Sequence, residues 1–202
     1  MFSLAVESAL QVSISAHEGQ TRRSATPTPY VVHPLHVAIV LARWGQDDDV
    51  IVAGLLHDVV EDCPGWTLTR VETEFGHYVA RIVGELTEDK SESWEERKRW
   101  AIDHAPHMSP QAATVKAADK LHNLQTLACE LRTASSADEV WAKFRGGREK
   151  TLAMSRELVD ALCPRVEPRV AKQLRSALKS VLDADTLSQA RATDYSIARR
   201  AP

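Results

Sequence analysis

The stretch GLLHDVVEDC, residues 54–63, gathers one imidazole and three carboxylates, His57, Asp58, Glu61 and Asp62, among Leu55, Leu56, Val59 and Val60. Groups of these types can hold a cation, order a water molecule and take a proton from it. Read as a helix at about 100° per residue, the run divides into two arcs. The polar side chains fall within roughly 0° to 140° of His57, and the leucines and valines at roughly 160° to 300°. A solvated helix face would divide in the same way, but such a face normally mixes lysine and arginine with its acids, and no basic residue lies in this run. Like charges this close require a cation. Gly54, one turn earlier on the polar side, leaves room there for something other than a side chain.

Two other segments carry residues that could complete the cluster. In YVVHPLHVAIVLARW, His33 stands before Pro34 at the mouth of a helix whose Val37, Val40, Leu41 and Trp44 face a core, and capping that helix is its plainer role. In VKAADKLHNLQTL, Asp119, His122 and Asn123 share one helical face by their i, i+3, i+4 spacing. Asp119 lies among Ala117, Ala118 and Leu121, so its carboxylate needs a partner, which Lys116 or Lys120 could supply.

The elements that must position these residues read as helix after helix. Apolar residues recur at helical spacing through 3–16, 34–44, 48–62, 68–74, 77–86, 94–103, 110–132, 137–162 and 167–183, with no convincing alternating strand. The class expected is all-α. Pro34 and Pro110 suit first-turn positions, Thr67 an N-cap, and Gly45, Pro64-Gly65 and Gly76 breaks, while Pro164 and Pro168 set off a last helix. TRRSATPTPY reads as a loop, and RATDYSIARRAP as a frayed tail.

With 202 residues, the chain suits one sizeable core. A hydrophobic fraction of 44% and a charged fraction of 26% are those of an ordinary globular protein, and a net charge of −3 speaks against a general nucleic-acid or membrane-surface binder. There is no apolar run of membrane-spanning length, and the N-terminus lacks the basic start and apolar core of a signal peptide, so a cytoplasmic location is expected. Cys63, Cys129 and Cys163 lack metal-type spacing and read as small buried or half-buried hydrophobes, with Cys63 a possible exception because it adjoins the polar cluster.

The order H…HD…D, here His33, His57-Asp58 and Asp119, resembles the HD superfamily of metal-dependent phosphohydrolases. The segments AHEGQTRRSATPTPYVVHPLHVA, AGLLHDVVEDC, FGHYVARIVGELTEDK and KAADKLHNLQTL are similar to the hydrolase domain of the RelA/SpoT group, which removes the 3′-pyrophosphate of the alarmone (p)ppGpp. The small single-domain hydrolases of the metazoan type look closest, through the length of the RR loop before TPY and through ERKR followed by HAPHMSP. The resemblance runs from about residue 10 to 130, with weaker similarity through WAKFRGGREK.

It implies an HD-domain helical phosphohydrolase fold over 1–165, a C-terminal helix packed on it over 166–190, and a flexible tail over 191–202. It also implies that His33, His57, Asp58 and Asp119 bind one divalent ion, Mn²⁺ in the family. Two imidazoles and two carboxylates suit such a cation and leave positions open for water and a phosphate oxygen. Glu61 and Asp62 match the family's catalytic pair. A solvent-facing last helical turn is the plain alternative for them, although carboxylates there oppose the helix dipole.

Substrate contacts implied are Arg22, Arg23, Lys98 and Asn123, each of which could instead be ordinary surface charge or polarity. Arg23 departs from the usual lysine, which matters where a point charge is wanted. His122 receives no role, since its position takes tyrosine in the relatives, and His17, His36, His77, His104 and His107 are read as structural or exposed. Length leaves no room for the synthetase domain of the long alarmone enzymes. The partner expected is a nucleotide such as ppGpp, not nucleic acid or membrane, with oligomeric state open and a homodimer among the options. Three rival readings stand: an NADPH 2′-phosphatase, another HD-type nucleotide phosphohydrolase, and a non-catalytic nucleotide sensor.

Overall fold

A computed structural model describes residues 2–22 and 27–198, with side chains to residue 190. Its order is α1 (Leu4–Ala16), β1 (Thr21–Arg22), β2 (Thr28–Pro29), α2 (Val32–Arg43), α3 (Asp48–Leu56), α4 (Val59–Asp62), α5 (Leu68–Phe75), α6 (His77–Leu86), α7 (Trp94–His104), α8 (Pro110–Thr133), α9 (Ala137–Trp141), α10 (Gly147–Leu162) and α11 (Pro168–Ala198). The class is all-α, as the apolar periodicity predicts. Caps fix several starts: the hydroxyls of Ser3, Thr67, Ser93 and Ser109 accept backbone N–H groups of the first turns they precede, each such cap being worth about 1 kcal/mol. Gly45, Gly65 and Gly76 end turns at φ of 77°, 82° and 87°, a region open to glycine at little cost.

The core is organised around α8. Its inward face is rich in alanine, with Ala112, Ala113, Ala117, Ala118 and Ala128 all buried, so α2, α3, α6 and α11 can approach its backbone closely. Larger groups fill the space between helices: Leu41, Leu55, Leu56, Leu124, Leu131 and Leu174 are fully buried. Each such leucine contributes about 1.5–3 kcal/mol of burial free energy. α11 lies along α8 and is tied to the end of α2, where Trp44 Nε1 donates to Gln173 Oε1 at 3.0 Å and Arg169 donates to the Trp44 carbonyl.

Four expectations are corrected. The loop TRRSATPTPY contains a short antiparallel ladder, Thr21 opposite Pro29 and Arg22 opposite Thr28, which the N–H of Tyr30 extends by donating to the Gln20 carbonyl at 2.8 Å. The helix expected over 48–62 is interrupted at His57-Asp58: the His57 ring donates to the Gly54 carbonyl at 2.7 Å, the acceptor that a continuous helix would offer to the Asp58 N–H. The helix expected over 137–162 is interrupted between Trp141 and Gly147, where Phe144 N–H donates to Trp141 O and Gly147 N–H to Phe144 O, with Gly147 at φ 60°. The last helix continues to Ala198, through much of the expected tail; residues 199–202 lie outside the described residues.

Cys63 and Cys163 are buried as expected, but Cys129 is exposed. Among the described residues, no helix is long and apolar enough to cross a membrane. Gly54 does not leave room for a ligand, because a Cβ there would collide with Leu41 Cδ1 and touch Val37 Cγ1. The space belongs to the contact between α3 and α2, and Leu41 is fully buried and has no solvent to retreat into. Gly54→Ala is therefore expected to destabilise the protein by about 1–3 kcal/mol through overpacking, measured as a lower urea midpoint at unchanged m-value.

Candidate active site

Three separate segments deliver the predicted donor groups to one place. His33 sits in the first turn of α2, His57 and Asp58 at the break between α3 and α4, and Asp119 in the middle of α8. His57 Nε2 lies 3.2 Å from Asp58 Oδ2 and 3.3 Å from His33 Nε2, while His33 Nε2 lies 3.3 Å from Asp119 Oδ1 and 3.6 Å from Asp58 Oδ2. His33, His57 and Asp58 offer donor atoms that all lie within 4.8 Å of one another. Both histidines are buried.

Partners on the far side fix which atoms face this centre. Since the Gly54 carbonyl can only accept, His57 Nδ1 donates to it, which turns the Nε2 edge inward. His33 Nδ1 meets His122 Nδ1 at 2.8 Å. Burial, reinforced by His33 and Arg22, pushes His122 down to about 3, so His122 is neutral and able to accept from His33. The His33 Nε2 edge is turned toward Asp119 Oδ1, 3.3 Å away. Burial favours the neutral form of Asp58, but His57 and His33 outweigh it and hold the carboxyl below its ordinary range; Tyr30 donates to its Oδ2 at 2.6 Å. Asp119 is held well below its range, burial being overcome by the His33 hydrogen bond and Lys116. Two imidazole Nε2 edges and two carboxylates turned toward one centre are a donor set for a divalent cation once the ring nitrogens that face it have lost their protons.

Glu61 and Asp62 stand beside the donors on α4. Glu61 Oε1 accepts the Glu88 N–H at 2.7 Å, and burial raises its pKa, with the Glu88 and Asp58 charges adding to the rise. Asp62 Oδ1 pairs with Lys90 Nζ at 2.6 Å, and its Oδ2 lies 3.4 Å from the Tyr30 hydroxyl. The acidic run therefore does have basic neighbours, brought by folding: Lys90 from the loop after α6, and Lys116, whose Nζ is 3.7 Å from Asp119 Oδ2. Lys120, the other partner open to Asp119, instead donates to Ser155 Oγ at 2.9 Å.

His33, Asp58, Glu61, Asp62, Lys90, Lys116 and Asp119 line a cavity of about 450 Å³ that also takes in Arg22, Lys98 and Asn123. Arg22 donates to Asn123 Oδ1 at 2.9 Å, and Asn123 Nδ2 donates to Asp119 Oδ1, so the Arg22 guanidinium is linked through one amide to the Asp119 carboxylate. Lys98 is bound to Glu88 at 2.9 and 3.1 Å. Arg23 lies outside the described residues. His17, read as structural, is buried and bonded to Gln20.

Sequence reasoning passed over Tyr30, Glu88, Lys90 and Phe144 and gave His122 no role, while Lys116, one of the two partners it offered Asp119, is the one found there. Glu88 is the most consequential: its side chain is only 4% exposed, yet it gathers Arg97, Lys98 and Lys116, making a cationic wall around one buried acid. No periodic signal marks it, because its burial comes from α7 and α8 closing over a loop. His122 could have been found from its place on the Asp119 face.

The HD domain family model matches residues 9–151. Over 113 residues the chain is 48% identical to the guanosine-3′,5′-bis(diphosphate) 3′-pyrophosphohydrolase MESH1 of Danio rerio, covering 55% of this chain and 62% of that protein. The protein of the same name from Homo sapiens is 47% identical over 113 residues, covering 55% and 63%. That from Drosophila melanogaster is 39% identical over 141 residues, covering 66% and 78%. The chain thus spans 62 to 63% of the length of these vertebrate relatives. Among solved structures, a metazoan ortholog of SpoT that hydrolyzes ppGpp and plays a role in starvation responses is similar with TM-score 0.77 at 31% identity, over 89% of this chain and 96% of that one. For lmo0812 of Listeria monocytogenes EGD-e the TM-score is 0.68 at 31% identity, over 75% and 99%.

His122→Phe removes the acceptor behind His33 while leaving all four donor groups in place. Mn²⁺ affinity measured by calorimetry is expected to fall by about 10–100-fold, the usual cost of losing the partner of a ligand. Asp58→Ala is expected to abolish measurable binding.

Proposed function

Because the chain belongs to the HD domain family, we propose that it is a metal-dependent hydrolase removing the 3′-pyrophosphate of guanosine 3′,5′-bis(diphosphate), with His33, His57, Asp58 and Asp119 holding one Mn²⁺. The family implies a divalent cation, and a set of two imidazoles and two carboxylates fits one of borderline-to-hard character. When bound, such an ion acidifies water and draws charge from a phosphoryl oxygen. The observation that carries the reading is the polarised cavity: His33, Asp58, Asp119 and the Glu61–Asp62 pair share it with Arg22, Lys98 and Lys116. The MESH1 relatives are named for this reaction.

In the overall step, a water oxygen bonds to the phosphorus attached to O3′, the bond from that phosphorus to O3′ breaks, and O3′ leaves as a hydroxyl, giving GDP and pyrophosphate. Glu61 is suited to take the water's proton, because a carboxylate whose pKa is raised by burial is the stronger base. Its Oε1 is fixed by the Glu88 N–H, so the acceptor does not wander. Asp62, braced by Lys90 and Tyr30, orders the same water. Arg22 can stack on the base or fork a phosphate, and Arg23, next in sequence, adds a second charge. Lys98 and its neighbours around Glu88 neutralise phosphate oxygens, and Asn123 contacts the nucleoside.

Purified protein with Mn²⁺ is expected to convert ppGpp to GDP and intact pyrophosphate, resolved by ion-exchange chromatography. Orthophosphate as the only product, with NADPH the preferred substrate, would replace this reading by that of a 2′-phosphatase. Binding of ppGpp without any product would make the site a sensor.

Glu61→Gln is expected to keep the metal and lower kcat by roughly 10²-fold, the ordinary size of a general-base contribution. Loss of the metal in that variant would show that a ligand has been taken for a base. Arg22→Ala should raise KM more than it lowers kcat, since its contact exists in the ground state as well as in the transition state.

A further inference from the structure

Asp185, on α11, is only 1% exposed, and it is spent on two elements that flank one turn. Its Oδ1 accepts from Trp141 Nε1 at 2.8 Å, at the end of α9, and its Oδ2 accepts from Arg148 at 2.6 and 2.8 Å, at the start of α10. Between these anchors the chain turns tightly through 142–146 and carries Phe144 to the cavity wall, beside Thr126 and Leu127 of α8. The rings of Trp141 and Phe144 lie 5.6 Å apart. On the same turn, Gly146 is pressed against the Trp94 indole, where a Cβ would collide, and Trp94 opens the helix that bears Arg97 and Lys98. One carboxylate outside the segment matched by the family model therefore holds both ends of the turn.

A buried ion pair adds little net stability over apolar packing, so what Asp185 supplies is geometry. We propose that Asp185 is a positioning residue for the nucleotide subsite, setting the 142–146 turn so that Phe144 offers a flat apolar surface to a bound base. This rests on the cavity being the nucleotide site proposed above.

The test uses the full chain loaded with Mn²⁺ and two variants, Asp185→Asn and Arg148→Gln; Arg148 is partly exposed, so its replacement leaves the core intact. GDP affinity is read by calorimetry, and KM and kcat by ppGpp turnover. Both variants are expected to weaken GDP binding and raise KM by about 5–10-fold while changing kcat far less, the pattern of lost ground-state binding. Phe144→Ala should weaken GDP binding similarly, and Asp185→Asn added to it should weaken it no further, because the two act through one surface.

Unchanged GDP affinity in both variants, a fall in kcat at constant KM, or full additivity with Phe144→Ala would overturn the assignment. Wild-type protein that binds GDP but leaves ppGpp intact would overturn the proposed reaction alone, with the variant affinities still deciding the role of Asp185. Wild-type protein that binds neither nucleotide would overturn both.

Discussion

Holding His33, His57 and Asp58 with donor atoms within 4.8 Å of one another, and Asp119 3.3 Å from His33, largely out of water, costs several kcal/mol per ionised group unless each has a partner. Much of the surrounding architecture can be understood as meeting that requirement from the outside. His57 is satisfied by a carbonyl three residues back, at the expense of helix continuity; His33 leans on His122; Asp58 takes the Tyr30 hydroxyl; Asp119 takes Asn123 and Lys116. Each of these supports comes from a different segment from the group it serves, or from a different turn of the same helix. The inward-facing nitrogens and oxygens are thereby turned toward one another, an arrangement that suits a cation.

Close approach of the helices makes this possible. Alanines on α8 let α2 and α3 come near enough for His33 to lie between His57 and Asp119, and Gly54 performs the same service where α3 crosses Leu41. The cationic wall obeys the converse rule. Arg97, Lys98 and Lys116 are tolerable together because Glu88 is buried among them, so the positive side of the cavity is organised around an acid much as the negative side awaits a cation.

The helical class was readable from apolar residues at helical spacing, and the cluster of His57, Asp58, Glu61 and Asp62 from ionisable groups one turn apart; grouping His33 and Asp119 with it came from the family resemblance, because they lie far off in the sequence. What could not be read depended on side chains overriding that periodicity or on contacts distant in sequence. The break at His57-Asp58 arises from a ring nitrogen competing for a backbone carbonyl, which no apolar pattern registers. Gly54 was correctly singled out as a place where a side chain is missing, but the sequence cannot say whether the vacancy faces a ligand or a neighbouring helix. Glu88 and Lys90 look like ordinary surface charge until folding brings α7 and α8 against their loop. The Phe144 turn was hidden inside an apparently continuous helical pattern, with only Gly146-Gly147 to mark it.

The cavity draws its walls from residues as far apart in sequence as Thr21 and Phe144, and α11 secures the last of them from further still. No fragment of the chain contains the site, and the unfolded chain has none of it. Whatever occupies the cavity therefore binds the folded form alone and stabilises the whole molecule by mass action, by about 2.7 kcal/mol when its free concentration is a hundred times its dissociation constant. On the proposed reading, supply of cation and nucleotide would raise the fraction of molecules that stay folded, and with it their survival against proteases that cut only opened chains.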